Sequence, residues 1–222
     1  MNQLHMCSFN LTQQLYNIQT RLAGQLMEED YFEKLERVAG ADVSFSTDNQ
    51  AVAAAVVLRL DDLEVLEKQT IPVTLEFPYI SGFLGFREAY ATISVINNIK
   101  SNFDVLMVNG HGIMHPRGFG LASHVGVLLD VPTLGVAKRL IKGRYIHQAS
   151  QRNQEKETPQ LILDSNQVVG AFFRGNYVSV GHKLSLNTAL EVVKRSSIHR
   201  TPEPLRQAHL LATETFNKKL VG

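Results

Sequence analysis

Three consecutive β-type runs, followed by alternating helix and strand patterns, constrain this chain more than any other feature of its sequence. The runs extend from Val38 to about Val73, where they read VAGADVSF, AVAAAVVLRL and LEVLEKQTIPV, and the stretches STDNQ and DDLE join them. Short polar connections between extended runs predict three antiparallel strands in meander order. The alternation that follows indicates parallel strands in the same sheet. The predicted fold class is therefore α/β, with a mixed sheet flanked by helices.

Apolar periodicity predicts the remaining elements. Leucine and isoleucine recur at steps of three and four near the N-terminus, which predicts an amphipathic helix over residues 9–28. The other predicted elements, in chain order, are a helix over 86–100, the strands FDVLMVN and PTLGVA, the strands QLILDSN, QVVGAFFRG and NYVSVG, and helices over 185–195 and 202–219. Thr201 and Pro202 are typical of the start of the last helix. The polar segment QASQRNQEKETP is interpreted as an exposed loop, because strand patterns resume after it.

Composition limits the size, environment and partners of the protein. With 222 residues, 44% of them hydrophobic, the chain can bury one full-sized core, so residues 1–222 are interpreted as a single domain. Its 22 Lys and Arg residues nearly balance its 21 Asp and Glu residues, so a polyanion site must be a local patch. There is one cysteine, Cys7, with no signal-peptide pattern and no apolar run of about 18 residues. We expect a cytoplasmic monomer that does not bind membranes.

Two acidic residues, Asp42 and Glu88, are candidates for a functional site. Asp42 lies inside the first strand, on the face shared by Val38, Gly40 and Ser44. A carboxylate buried in a strand needs a cation, a hydrogen-bond network or a metal, whereas one in an edge strand could face solvent. Glu88 follows FPYISGFLGFR at the start of a predicted helix, where it could be a ligand or could interact with the helix dipole. Each residue therefore has a functional and a structural interpretation.

Asn109 and His209 extend this group. Asn109 ends the strand FDVLMVN before a glycine-rich turn, so its side chain is expected at the carboxyl edge of the sheet. In the last helix, His209 recurs at helical spacing with Leu205, Ala212 and Phe216, which predicts an imidazole that points inward. Such a histidine is either hydrogen-bonded in the core or part of a site. If these elements converge, they could form a carboxylate-rich site that holds Mg²⁺ for phosphoryl displacement.

Lys138 lies at the end of the strand PTLGVAK, near the same edge of the sheet. A lysine there could hold a phosphate as a point charge, whereas the alternative is a solvated basic face continued by Arg139, Lys142 and Arg144. His182, in the segment SVGHKLS, is interpreted as a structural residue of a turn.

Together, these segments resemble the endonuclease V family, deoxyinosine-directed endonucleases with an RNase H-like fold. The resemblance covers nearly the whole chain and depends on GADVSF, PYISGFLGFRE, VNGHGIMHPRGFGLASHVGVLLDVPTLGVAK, SVGHKLS and PEPLRQAH. Each segment is weak alone, but their order and spacing are highly specific. The resemblance implies an RNase H-like mixed sheet and a Mg²⁺-dependent enzyme, with Mn²⁺ as a substitute. It also implies nicking of DNA 3′ to deoxyinosine in DNA repair, and inosine in RNA is a target of some members.

The resemblance further implies roles for individual residues. Asp42, Glu88 and position 109 would bind the metal, and Lys138 and His209 would complete the catalytic group. The loop PYIS would be a wedge that fills the gap left when inosine is turned out of the stack into a pocket formed partly by the GHG backbone. Lys138 and His115 would contact phosphate. The residues that would contact nucleic acid are Pro78, Tyr79, Ile80, Gly82, Gly110, His111, Gly112, His115, Arg117 and Lys138.

Physical chemistry supports the wedge and the pocket. Inosine carries a carbonyl where adenine has an amino group, so a pocket that offers backbone N–H donors would accept inosine and oppose adenine. Gly110 and Gly112 would let such a backbone approach the base. Tyr79 is a rigid aromatic on an apolar loop, suited to hold a duplex open, although a tyrosine packed in a core turn is the alternative.

Two residues depart from the family pattern. The wedge usually reads PYIP, so Ser81 replaces its second proline, and Asn109 stands where the family has aspartate. Asparagine is nearly isosteric with aspartate, so the fold should persist, but losing roughly 4 kcal/mol of metal stabilisation would slow cleavage about a thousandfold. We therefore expect an endonuclease V chain with a weakened or inactive metal site. The alternatives are a non-catalytic protein that binds inosine or distorted duplexes, an inosine-specific ribonuclease, and a nuclease that works with His209 and two acids.

Overall fold

A sheet of nine strands organises the protein in the computed structural model, which describes residues 2–46, 48–141, 146–147 and 158–221. The elements are α1 (Asn2–Ala23), β1 (Arg37–Phe45), β2 (Gln50–Arg59), β3 (Val65–Thr74), α2 (Leu84–Ile96), β4 (Val105–Asn109), α3 (Leu121–Leu129), β5 (Thr133–Ala137), β6 (Ile146–His147), β7 (Gln160–Asp164), β8 (Gln167–Phe173), β9 (Asn176–His182), α4 (Leu186–Ser196) and α5 (Glu203–Val221). The strand order is β3-β2-β1-β4-β5-β9-β8-β7-β6.

The sheet is parallel only at its centre. β1, β2 and β3 pair antiparallel, as the short polar connections predict. β4 lies parallel beside β1, and β5 lies parallel beside β4. On the far side of β5, the strands β9, β8, β7 and β6 continue antiparallel. The mixed α/β sheet is therefore confirmed, and the carboxyl ends of β4 and β5 lie side by side.

Helices cover both faces of the sheet. α4 and α5 pack on one face, where Leu205 joins a core that includes Val38, and α2 and α3 pack on the other, against residues such as Ala39. Successive strand residues point to opposite faces, so Asp42 faces α5 together with Gly40. A Cβ atom at Gly40 would collide with the backbone of Pro204, so the glycine allows α5 to approach β1 closely. No helix in the described part of the chain is long and apolar enough to cross a membrane.

The structure corrects several element boundaries. α1 ends at Ala23 rather than at residue 28, because Gly24 follows and Leu26 packs against the core from outside the helix. α2 spans Leu84–Ile96 rather than 86–100, and α5 begins one residue later than predicted. α3 was not predicted, because its sequence LASHVGVLL has little polar contrast. The segment 148–159, interpreted as a loop, lies outside the described residues except for its last two positions.

Candidate active site

Asp42 is the centre of a hydrogen-bonded group beside the parallel strands. β1 lies between β2 and β4, so Asp42 belongs to an interior strand, and it is only 8% exposed. One carboxylate oxygen accepts a hydrogen bond from Nδ2 of Asn109 at 2.8 Å. The other lies 2.7 Å from Nδ1 of His209. The alternative of a solvent-facing aspartate in an edge strand is therefore wrong.

Glu88 is a buried carboxyl group in the second turn of α2. The helix begins at Leu84 and has no acidic residue in its first turn, so the helix-dipole interpretation of Glu88 is wrong. Burial raises the pKa of Glu88 to about 7; the charge of Asp42 adds to the rise, and Arg87 offsets part of it. Asp42 and Glu88 thus lie close enough to interact. Near neutral pH, in the absence of a cation, a substantial fraction of Glu88 is protonated.

His209 reaches Asp42 from beside the buried face of α5. Leu205, Ala208 and Ala212 are the buried positions there, and the His209 side chain is 57% exposed. The predicted inward-pointing imidazole is wrong, because Ala208 completes the 3.6-residue stripe instead of His209. The contact with Asp42 orients the ring and leaves most of it accessible.

Asn109 ends β4 beside Asp42, as predicted. Ala41 pairs with Val108 in the parallel strands β1 and β4, so the two residues that follow meet at the carboxyl edge of the sheet. The Asn109 amide acts as a hydrogen-bond donor toward Asp42, which an aspartate could not do while ionised. Among the residues that the structure describes, no three His, Cys, Asp or Glu side chains lie close enough to hold a metal ion.

A cleft of about 1030 Å³ adjoins this group and includes Asn109 in its lining. Its volume is at the upper end of the range of about 300–1,000 Å³ that is common for ligand sites. Lys138 lines the cleft with an exposed side chain, two residues after Val136, the β5 partner of Asn109. His182 is not among the residues that line the cleft. It ends β9 rather than lying in a turn, and its Nε2 is 3.3 Å from Oδ1 of Asp130, which agrees with a structural role.

Gly110 lies in the cleft wall, and the N–H groups of both glycines of the GHG segment are already engaged. The Gly110 N–H bonds the carbonyls of Val108 and Val136 at 2.9 and 3.0 Å, and the Gly112 N–H donates to Oγ of Ser179 at 2.9 Å. These two N–H groups are therefore used within the protein, and the base pocket formed partly by the GHG backbone stays a prediction. At position 112 glycine is required for close packing, because a Cβ atom there would overlap a carbonyl of β9.

His111 and His115 contribute neutral, buried rings to the cleft. Burial lowers the pKa of His111, and its Nε2 lies 2.8 Å from the carbonyl oxygen of Arg139. Burial, together with the charges of Arg117 and His111, lowers the pKa of His115 to about 4. Nδ1 of His115 accepts a hydrogen bond from the backbone N–H of Arg117 at 3.2 Å. A ring that is neutral at pH 7 can contact phosphate as a hydrogen-bond donor but not as a cation, so the phosphate contact of His115 stays a prediction.

Residues 78–83, here called the Tyr79 loop, form one rim of the cleft. Tyr79 is 69% exposed, so the alternative of a tyrosine packed in the core is wrong. The Phe83 N–H donates to the carbonyl of Ile80 at 2.9 Å, and Gly82 has a φ of 80°. A left-handed third residue is typical of a type II turn. The loop thus has a defined turn at its end and an exposed aromatic ring near its start.

Two buried polar residues beside the Tyr79 loop were not predicted. Gln19 of α1 is 2% exposed and lines the cleft. Arg87 of α2 is 7% exposed and donates to the carbonyl of Phe77, just before the loop. Gln19 lies four residues after Leu15, so a polar residue within an apolar stripe was the available signal.

Comparisons with known proteins agree with this architecture. The chain matches the family model of Endonuclease V over residues 20–210. Endonuclease V of Dictyoglomus thermophilum is 37% identical over 212 residues, which cover 92% of this chain and 91% of that protein. The catalytic domain of human Endonuclease V has a TM-score of 0.87 at 33% identity, covering 95% of this chain and 98% of that chain. Ciona intestinalis Endonuclease V in complex with inosine-containing DNA has a TM-score of 0.78 at 28% identity, covering 94% and 98%.

The mixed sheet, the carboxylates beside its parallel strands and the adjoining cleft define a nuclease with an RNase H-like fold. Within that class the chain belongs to the Endonuclease V family, whose members are phosphodiester hydrolases.

Proposed function

We propose that this chain recognises deoxyinosine in nucleic acid, and that its Mg²⁺-dependent nicking of the strand 3′ to the lesion is weak or absent. The observation that carries the proposal is the 2.8 Å hydrogen bond from Asn109 to Asp42, within the site of an Endonuclease V chain. Family membership supports the endonuclease chemistry. The complex of the Ciona intestinalis protein with inosine-containing DNA supports the choice of ligand.

Recognition depends on the cleft and its rim. Lys138 has an exposed ammonium group that can hold phosphate as a point charge. The exposed ring of Tyr79 can fill the gap in a base stack, which reduces a cost of a few kcal/mol per opened step. None of these contacts requires the metal, so recognition is expected to persist when cleavage is weak.

The carboxylate group fits Mg²⁺ only in part. Bound Mg²⁺ supplies Lewis-acid stabilisation of the phosphate and an acidified water. Asp42 and Glu88 would hold it, with Mn²⁺ as a substitute, but Asn109 contributes a neutral amide where a third carboxylate would add charge. The described residues offer a cation at most two negative charges at this point, and fewer when Glu88 is protonated.

His209 is placed to exchange a proton with the substrate. Its Nδ1 contacts Asp42 at 2.7 Å, which orients the ring, and 57% of the side chain is exposed. A carboxylate that orients an imidazole is a common arrangement in general acid–base catalysis. This chemistry does not replace the missing charge at Asn109.

The experiment compares nicking and binding by the parent chain, Asn109→Asp and Asn109→Ser. We expect Asn109→Asp to raise Mg²⁺-dependent nicking of an inosine-containing strand about a thousandfold. Asn109→Ser, which removes the amide without adding charge, should stay weak. All three should prefer an inosine-containing duplex to a matched undamaged duplex in a binding titration.

Three results would contradict parts of this proposal. Equal nicking by the parent and Asn109→Asp would show that Asn109 does not limit cleavage. A parent without preference for inosine would overturn recognition. Tighter binding and faster cleavage of inosine in RNA than in DNA would assign the chain to inosine-specific ribonucleases.

A further inference from the structure

A buried glutamine joins three segments around the cleft. Nε2 of Gln19 donates to the carbonyl of Gly82 at 3.1 Å and to the carbonyl of Phe119 at 3.0 Å. Its Oε1 accepts a hydrogen bond from Nε of Arg117 at 2.6 Å. Both amide hydrogens and the amide oxygen are therefore used. Gln19 thus connects α1 to the Tyr79 loop and to residues 110–120, here called the cleft loop.

The guanidinium of Arg117 completes this connection. Its Nη2 donates to the carbonyl of Gly82, the same oxygen that Gln19 uses. The guanidinium carbon lies 4.3 Å from the ring centre of Phe83 and 5.9 Å from that of Tyr16, which are cation–π distances. Nε and Nη2 both donate within the protein, so these two nitrogens are directed toward Gln19 and the Tyr79 loop, while the residue also lines the cleft.

Gly82 is suited to receive these contacts. Its φ of 80° is a left-handed conformation that favours glycine. A Cβ atom at this position would lie 2.6 Å from Nη2 of Arg117. The preceding residue, Ser81, is exposed and has no ring to restrict its backbone. The end of the Tyr79 loop is therefore fixed by residues outside the loop, because Gln19 and Arg117 both donate to the carbonyl of Gly82.

We propose that Gln19 and Arg117 are positioning residues, which fix the Tyr79 loop relative to the cleft loop, and that Arg117 acts through Gly82 rather than by contacting phosphate. The inference rests on the proposed function, because it concerns the same cleft. A wedge and a pocket must act on the same nucleotide, and a misplacement of about 1 Å can cost about a hundredfold in a site that depends on orientation. Gln19 is 2% exposed and its amide groups are all used within the protein, so we expect an effect of changing it to pass through the loops.

The test uses two variants of this connection and one matched control. Arg117→Lys keeps the positive charge but loses the planar fork that reaches both Gln19 and Gly82. Gln19→Leu removes all three hydrogen bonds of the amide. Lys138→Ala removes an exposed charge from the same cleft. It shows how the loss of a phosphate contact changes the dissociation constants and their dependence on salt. Dissociation constants are measured over a range of KCl for an inosine-containing duplex and for a matched undamaged duplex.

We expect the two connection variants to behave alike and unlike the control. Arg117→Lys and Gln19→Leu should reduce the preference for inosine about tenfold, with no change in salt dependence, because no charge is lost. Lys138→Ala should weaken both duplexes about equally and lower the salt slope by about one. Hydrogen exchange of the Phe83 amide should be faster in both connection variants than in the parent.

Several outcomes would overturn the inference. If Arg117→Lys keeps the preference and Arg117→Met lowers the salt slope, Arg117 is a phosphate contact. Unchanged preference and unchanged Phe83 exchange in Gln19→Leu would also refute it. If Gln19→Leu does not fold, Arg117→Lys decides alone, since its side chain is only half-buried. A parent without inosine preference would overturn the proposed function, whereas Phe83 exchange would still test the connection.

Discussion

Acid is expected to destabilise this protein through His124, a residue of α3 that packs against α2. Its ring centre lies 5.0 Å from that of Phe86, edge-on, and 5.4 Å from that of Phe119, and the residue is 6% exposed. Among the described residues, its Nδ1 has no hydrogen-bond partner. A charged imidazole there would lose its hydration without compensation, so burial lowers the pKa of His124 to about 4. His124→Leu removes the titrating group and keeps an apolar side chain.

The magnitude follows from the difference between the folded and unfolded pKa values. An ordinary histidine in the unfolded chain has a pKa of about 6.5. Between that value and about 4, the unfolded chain binds a proton that the folded chain does not, so the free energy of unfolding falls as the pH falls. The full loss is about 3 kcal/mol, and about 2 kcal/mol of it falls between about pH 7.5 and about pH 5. His115, whose pKa is also about 4, adds a comparable loss.

Urea unfolding near these two pH values measures the effect. The parent should lose about 2 kcal/mol more than His124→Leu between them, whatever the leucine costs at the higher pH. His199→Gln is the control for the removal of a histidine, because the His199 side chain is 60% exposed. If His124→Leu keeps the full pH dependence of the parent, His124 does not titrate as its burial requires, and the argument from desolvation fails.

Three further predictions concern the site. Tyr79→Ala should weaken binding to an inosine-containing duplex by about tenfold or more in a titration. The thermal midpoint of unfolding should change little, because the ring is 69% exposed. A large loss of stability with unchanged binding would place the ring in the core. Lys138→Ala should flatten the salt dependence of binding, and an unchanged slope would return Lys138 to a solvated basic face. The parent should nick slightly faster with Mn²⁺ than with Mg²⁺, but much more slowly than Asn109→Asp does with Mg²⁺. If Mn²⁺ raises nicking by the parent to the rate of Asn109→Asp, charge at residue 109 is not limiting.

Local patterns were sufficient to predict most of the sheet. The meander of β1 to β3 follows from short polar connections between extended runs, and β4 follows from the apolar stretch before Asn109. α3 was missed because LASHVGVLL is apolar almost throughout and so has no contrast between its faces. Ser185 was predicted to begin α4, and it is the N-cap, with its side chain accepting from the Thr188 N–H.

The meeting of Asp42, Asn109 and His209 could be expected from the sequence, but their individual contacts could not. Asp42 and Asn109 stand out because a polar residue in or after an apolar strand needs an explanation. Whether His209 points inward depends on whether residue 208 or residue 209 occupies the buried face of α5, and apolar periodicity does not distinguish neighbouring positions. The hydrogen bond between Gln19 and Arg117 joins residues 98 positions apart, so no local pattern could indicate it.

The sheet also protects the chemical identity of residue 109. An Asn–Gly sequence can lose ammonia when the glycine nitrogen attacks the side-chain carbonyl, and hydrolysis of the resulting ring produces aspartate as one product. Here the nitrogen of Gly110 is held by the carbonyls of Val108 and Val136, so the folded strand restrains this deamidation of Asn109.

A preparation that has been unfolded and refolded has no such restraint while it is unfolded. If aspartate at residue 109 is about a thousandfold more active, conversion of about one molecule in a thousand would match the activity of all the others. The nicking rate of a preparation of the parent therefore depends on its history as well as on its sequence, and quantifying the peptide that contains residue 109 by chromatography and mass spectrometry distinguishes the two.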